Sequence, residues 1–245
     1  MVTYKLFEPF AEILAFTTTR EDLSHGKPRF TGKDPDIYMP MRKTLAELLD
    51  LDSCQMVFPE QTHSDHIRLV TKKDPPVLKE SDALVTSQKN LCLCIQTADC
   101  VPVLVYDPHE KVIAAIHAGW RGTLNRITAK TIEKMKMNFS CSPDNLYAVI
   151  GPSIGPEIYE TGMEVATLFK SQSDNWPDFL ILQGNGRYHI DLWNANRYQL
   201  EQQGVSNSRI QLLQQCTFHR QDLYYSARRD GTDTGRMVSG IMMRQ

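Results

Sequence analysis

Three short segments hold the residues best suited to chemistry: Gln61-Thr62-His63-Ser64, Thr97-Ala98-Asp99-Cys100 and His117-Ala118-Gly119-Trp120-Arg121-Gly122. Each contributes one soft or borderline donor, namely His63, Cys100 or His117. Two imidazoles and a thiolate are the three-ligand number used by catalytic zinc, which keeps a fourth position for water or substrate. The donors are separated by 37 and 17 residues, too far for a local zinc finger. If they converge, the fold brings them together. His66 is a further candidate ligand or neighbour of the set, and Asp99 a candidate carboxylate for orienting a ligating imidazole.

A second chemistry fits the same residues. Cys100 and His117 are a possible nucleophile–base pair, with Arg121 as an additional positive charge to lower the thiol pKa. Spacing alone does not separate a dyad from a metal site; the second histidine, His63, favours the metal. Gly119 to Thr123 leads into a helical pattern. Free N–H groups at a helix start beside Arg121 suit an anion such as phosphate. Ser226-Ala227-Arg228-Arg229-Asp230-Gly231 is a second basic cluster, either an anion clamp or a surface ion-pair group.

The elements that must position these residues alternate between apolar runs and helical patterns, which predicts an α/β (α+β) class. Strands are expected over 12–18, 55–58, 67–70, 91–95, 101–106, 111–117, 147–150, 210–218 and 237–243. The turn Asp107-Pro108-His109-Glu110 predicts a hairpin. Helices are expected over 44–51, from Leu124 through Phe139, over 157–170 and over 192–203, the last stopped by Gly204. Residues 171–187 read as a loop. Cys92 and Cys94 read as ordinary buried face residues of a strand.

Composition narrows the field. The chain has 245 residues, 41% hydrophobic, with a net charge of −2. That balance gives no sign of nucleic-acid or anionic-membrane binding, and no apolar run approaches the ~20 residues of a membrane span. Six cysteines without a signal-peptide pattern predict reduced thiols and a cytoplasmic protein.

At these residues the chain resembles a known family. Gln61-Thr62-His63, Thr97-Ala98-Asp99-Cys100-Val101-Pro102-Val103, His117 through Thr123, Ile150-Gly151-Pro152-Ser153-Ile154-Gly155, and Arg228-Arg229-Asp230-Gly231 to Arg236 look like the YfiH-like family, also labelled polyphenol oxidase, laccase-domain or peptidoglycan editing factor. The resemblance implies a single catalytic domain over 1–245, with mixed sheets sandwiched between helices and related to cysteine-type deamidase toxins. It implies a metal site at His63, Cys100 and His117, which are also the catalytic residues, holding zinc with copper as the alternative. It also implies phosphorolysis of adenosine, inosine, guanosine and methylthioadenosine, deamination of adenosine, and Arg42 or Arg121 as the phosphate ligand. The expected partners are thus purine nucleosides and phosphate, with the chain a monomer or weak homo-oligomer. Two other activities go with the family: copper-dependent phenol oxidation, and editing of a peptidoglycan precursor by a Cys-His hydrolase. A laccase-type trinuclear copper cluster needs more paired histidines than this chain offers, since His25, His109, His189 and His219 are scattered. The family's Ser-Leu-Asn-Leu stretch after Thr19-Arg20 is absent, so the resemblance does not carry substrate contacts over to this region.

Overall fold

The computed structural model describes residues 1–23, 26–75, 77–172, 178–183 and 186–245. His25 and parts of the expected 171–187 loop lie outside the described residues. Among the described residues there are fifteen strands: β1 (Val2–Thr3), β2 (Ile13–Thr17), β3 (Met56–Pro59), β4 (Ile67–Leu69), β5 (Val77–Leu78), β6 (Ala83–Thr86), β7 (Cys92–Thr97), β8 (Val101–Asp107), β9 (Val112–Ala118), β10 (Tyr147–Ile150), β11 (Glu160–Thr161), β12 (Leu180–Leu182), β13 (Tyr188–Ile190), β14 (Ile210–Leu212) and β15 (Met237–Met243). The α-helices are α1 (Pro35–Leu49), α2 (Trp120–Leu124), α3 (Ile127–Phe139), α4 (Met163–Gln172), α5 (Leu192–Gln202) and α6 (Ala227–Asp230).

Two six-stranded sheets run β1-β2-β15-β7-β3-β5 and β14-β10-β8-β9-β6-β4; a small third sheet runs β11-β13-β12. Most pairings are antiparallel, with parallel exceptions at β3–β7, β3–β5, β4–β6 and β10–β14. The central strands are buried on both faces, so they read as near-continuous apolar runs. Their two-residue period still sorts side chains. Leu93 and Ile95 of β7 meet Leu104, Ile113 and Ala115 of β8 and β9 between the sheets. Cys92 and Cys94 face the other way, against Leu45, Ala46 and Leu49 of α1. Val101, Val103 and Val105 point outward beneath Ile127, Ile132 and Met135 of α3 and Leu200 of α5. The result is helix, sheet, sheet, helix, as the α/β sandwich expectation requires.

The chain passes from the first large sheet to the second at β3–β4, β5–β6 and β7–β8. The expected hairpin forms between β8 and β9, with Pro102 opposite His117.

Several expected boundaries move. The helix foreseen over 44–51 starts at Pro35, because the Asp34 side chain accepts from the Asp36 N–H and proline suits the first helical position. The single helix expected from Leu124 to Phe139 is two: Arg126 adopts φ 62° and breaks the run. The helix expected from 157 begins only at Met163, since Glu160 and Thr161 pair with β13. The strand expected over 210–218 is only three residues long. Among the described residues, no helix is long and apolar enough to cross a membrane.

The α2–α3 break is held from below. Asn196, fully buried on α5, donates to Thr123 Oγ1 (3.0 Å) and the Leu192 carbonyl (2.9 Å), and accepts from Thr128 Oγ1 (2.7 Å). Gln199 donates to the Thr123 carbonyl at 2.7 Å. Asn196→Ala strands these buried hydroxyls and should cost about 2–3 kcal/mol, lowering the thermal midpoint by roughly 4–12 °C in a chain of this size. Calorimetry on wild type and variant at matched metal content checks this.

Candidate metal centre

Each donor is delivered by a different backbone device. His63 lies on the β3–β4 crossing with φ 60°, Cys100 ends the β7–β8 crossing after Asp99 at φ 92°, and His117 stands near the end of β9. Positive φ in non-glycine residues is costly and persists where surrounding contacts enforce it.

Here the enforcing contacts are plain. Asp82, fully buried at the β5–β6 crossing, accepts from the backbone N–H of Thr62 (3.2 Å), His63 (3.1 Å) and Ser64 (2.7 Å), and from the Ser64 hydroxyl (2.7 Å). The same carboxylate accepts from His117 Nδ1 at 2.7 Å, while the Asp82 carbonyl accepts from the His117 N–H at 2.7 Å. Gln61 adds a second clamp: its side chain bonds the Gln96 carbonyl and N–H, both at 2.8 Å.

The three predicted ligands come together. Their ligand atoms all lie within 4.8 Å of one another, and they form the one such His/Cys/acid group found among the described residues. Cys100 Sγ is 3.7 Å from His63 Nε2. Two ligands of one tetrahedral zinc ion sit about 3.5 Å apart by ordinary Zn–S and Zn–N lengths, so the spacing suits a shared ion. Asp82 fixes the proton of His117 on Nδ1 and leaves Nε2 as the donor lone pair, the role of a carboxylate behind a metal-binding imidazole. Gly119 lets the groups close up: a Cβ there would meet His63 Cδ2 at 3.0 Å and Cys100 Sγ at 3.1 Å.

The electrostatics favour charge on both Cys100 and His117, and an ion would take the place of the proton on Nε2. Burial alone would push the Cys100 thiol up, but His117 and His63 beside it bring it down to about 6. Burial opposes charge on His117, yet Cys100 and Asp82 raise it to about 9. Asp82 stays low, at about 2, despite its burial, because His117 and Ser64 donate to it. The group is thus polarised toward thiolate, the form that binds metal or attacks carbon.

These donors open into a cavity of about 500 Å³, also lined by Gln61, Gln96, Trp120, Tyr159, Arg121, Arg228 and Arg236. Arg121 stacks on Trp120, its Cζ 4.3 Å from the ring centroid. Burial and neighbouring Arg29 push Arg236 down to about 10. Burial and Cys100 push the Tyr159 phenol upward.

Other expected site residues sit differently. Arg42 is 2% exposed on α1, with its guanidinium over Tyr38 and Phe58 and its Nε donating to the Phe30 carbonyl; it does not line the cavity. Asp99 does not orient an imidazole. Its carboxylate accepts from Thr217 Oγ1 (2.6 Å) and the Arg228 N–H (2.7 Å). His66 turns away to the Glu80 carbonyl, 3.1 Å from its Nδ1. The helix start expected to hold an anion is the five-residue α2, too short for a sizeable dipole, so positive charge in the cavity comes from side chains. In the second basic cluster, Arg229 is tied to the carbonyls of Thr217, Phe218 and Tyr224, each at 2.8 Å, while Arg228 reaches the cavity.

Residues 29–244 match the family described as multi-copper polyphenol oxidoreductase laccase. The chain belongs to this family. Among its relatives, a purine nucleoside phosphorylase of Bacteroides thetaiotaomicron is 36% identical over 99% of this chain and 96% of its own. Adenosine deaminase RL5, from an unknown prokaryotic organism, is 34% identical over 93% of this chain and 92% of its own. The crystal structure of the Bacillus licheniformis hypothetical protein YfiH superposes with a TM-score of 0.89 at 31% identity, covering 97% of this chain and 95% of that one. The laccase family therefore includes relatives bearing phosphorylase and deaminase names.

Sequence reasoning did not single out Asp82 or Tyr159. Asp82 had a signal: an acid directly ahead of the apolar run Ala83-Leu84-Val85 is buried if that run is a strand. Tyr159 had none.

Two outcomes test the centre. Asp82→Asn keeps the shape but weakens the hold on His117 and the 62–64 loop, so zinc affinity measured by chelator competition should fall about 10–100-fold. Holo protein should resist iodoacetamide at Cys100, and chelated protein should alkylate there quickly near neutral pH; peptide mass spectrometry reads both. Rapid alkylation of fully metallated protein would count against metal ligation by Cys100.

Proposed function

We propose that this chain is a metal-dependent purine nucleoside phosphorylase with adenosine deaminase activity, its single catalytic domain spanning 1–245 and its resident ion zinc. The observation that carries the reading is the His63–Cys100–His117 group at the base of an arginine-walled cavity, in a chain whose relatives bear both enzyme names. His63, Cys100 and His117 would hold the ion. When bound, it supplies Lewis-acid polarisation and a lowered pKa for water at the open position. Phosphate is held by Arg121, whose planar fork matches its oxygens, with Arg236 adding positive charge to the cavity wall. Arg42 has no part in this reading, since its burial under Phe30 keeps it from the cavity. Trp120 supplies a flat wall for a purine, and the nucleoside's anomeric carbon faces the phosphate.

Copper is the family's descriptive metal, and a His₂Cys set also suits it. Among the described residues, however, no second group assembles for a multicopper cluster. A metal-free reading draws on one observation: Asp82, His117 and Cys100 line up as carboxylate, imidazole and thiol, the order of a cysteine hydrolase, which would suit peptidoglycan-precursor editing. The alkylation experiment separates the two.

The function is tested by incubating protein of measured zinc and copper content with adenosine, with and without phosphate. Adenine and ribose 1-phosphate should form only with phosphate, and inosine should form without it. Arg121→Ala should raise the phosphate KM about 10–100-fold, the worth of a charge-assisted pair, while sparing inosine formation. An equal fall in both activities assigns Arg121 to the fold or the metal site instead.

A further inference from the structure

Phosphorolysis has two ends. The arginines answer for the attacking phosphate, and the departing base also needs a partner. Tyr159 lines the same cavity as His63, Cys100 and His117. Its hydroxyl has no hydrogen-bond partner among the described residues. Several polar groups of the same cavity are committed elsewhere. Both Asp99 oxygens are taken by Thr217 and Arg228. The Gln61 amide is spent on the Gln96 main chain, and the Gln96 amide on Phe30 and Thr31.

The ring is also held in place. The Tyr159 N–H donates to the Gly155 carbonyl, and its carbonyl accepts from the Ile190 N–H, both at 3.0 Å. Arg228 straddles it, donating to the carbonyls of Ile158 (3.4 Å) and Glu160 (3.0 Å) on either side, with Cζ 5.2 Å from the ring centroid. Arg228 is anchored in turn by its own N–H on Asp99, the residue before Cys100. A fixed phenol with an unspent O–H in a cavity is a preorganised donor, and such donors act where charge develops in the transition state.

We propose that Tyr159 is a catalytic residue whose hydroxyl donates a hydrogen bond to the purine ring as the glycosidic bond breaks, and that Arg228 is the positioning residue holding its ring. The assignment rests on the phosphorolysis reading. In that reaction a phosphate oxygen bonds to C1′, and the C1′–N9 electron pair leaves with the base. The proton brought in on hydrogen phosphate ends on the purine. Tyr159 keeps its own proton throughout and stabilises the departing negative charge.

The test compares two leaving groups. Inosine expels an anionic base; 7-methylguanosine, already cationic, expels a neutral one and needs no such donor. With saturating phosphate, Tyr159→Phe should lower kcat on inosine about 10²-fold and barely change it on 7-methylguanosine. The phosphate KM, the zinc content and the thermal midpoint should match wild type. Arg228→Lys keeps the charge but loses the two-carbonyl grip, so it should show a smaller loss with the same preference for inosine. An equal loss on both nucleosides from Tyr159→Phe, or a raised phosphate KM with kcat intact, overturns the assignment of Tyr159 alone. A wild-type protein that cleaves neither nucleoside with phosphate overturns the phosphorolysis reading and this assignment with it.

Discussion

A single buried carboxylate organises this molecule's working end. Asp82 collects three backbone N–H groups, two hydroxyls and one imidazole. A buried carboxylate is tolerable only when its lone pairs are this well used. The groups that answer that need are the loop bearing His63 and the ring of His117. Desolvation of one acid thereby dictates the position of two ligands, and the left-handed backbone at His63 is the local cost. Cys100 is brought in by the neighbouring crossing, and the missing side chain at Gly119 lets it close on both rings.

Position decides what a thiol becomes here. Cys92 and Cys94 lie one strand segment away from Cys100, 3.5 Å apart at Sγ and fully buried against α1. Burial and the adjacent Cys92 push the Cys94 thiol well up, which makes it an inert packing group. Cys100 is exposed to two imidazoles instead, and its thiol falls. The residue type is shared, and the neighbours set the chemistry.

Much of this was legible in the sequence, for definite reasons. β10 and β15 have the expected limits because doubly buried strands leave uninterrupted apolar runs bounded by polar or turn-forming residues. The convergence of His63, Cys100 and His117 was legible as donor types in turn-like contexts, and the family resemblance drew them together. What was hidden depended on long-range pairing. Glu160 and Thr161 carry helix-compatible residues, yet β13 claims them as strand. Arg126 looks like any helical arginine, and its left-handed turn follows from how α5 grips Thr123 and Thr128. Asp82 and Asp99 could not be told apart locally: both precede strands, and only the folded sheets decide which acid meets an imidazole. Arg42 enters as a phosphate candidate through the family resemblance but ends between Tyr38 and Phe58, since α1 begins nine residues earlier than its apolar stripe suggests.

The three crossings between the large sheets carry His63, Asp82 and Cys100, while His117 belongs to the second sheet alone. Any sliding of one sheet over the other would therefore separate the ligands. An ion held by all three would act as a rivet between the two sheets, tying segments far apart in the chain. Occupancy would then be a mechanical property as well as a chemical one, because a filled site would resist shear along the central apolar layer.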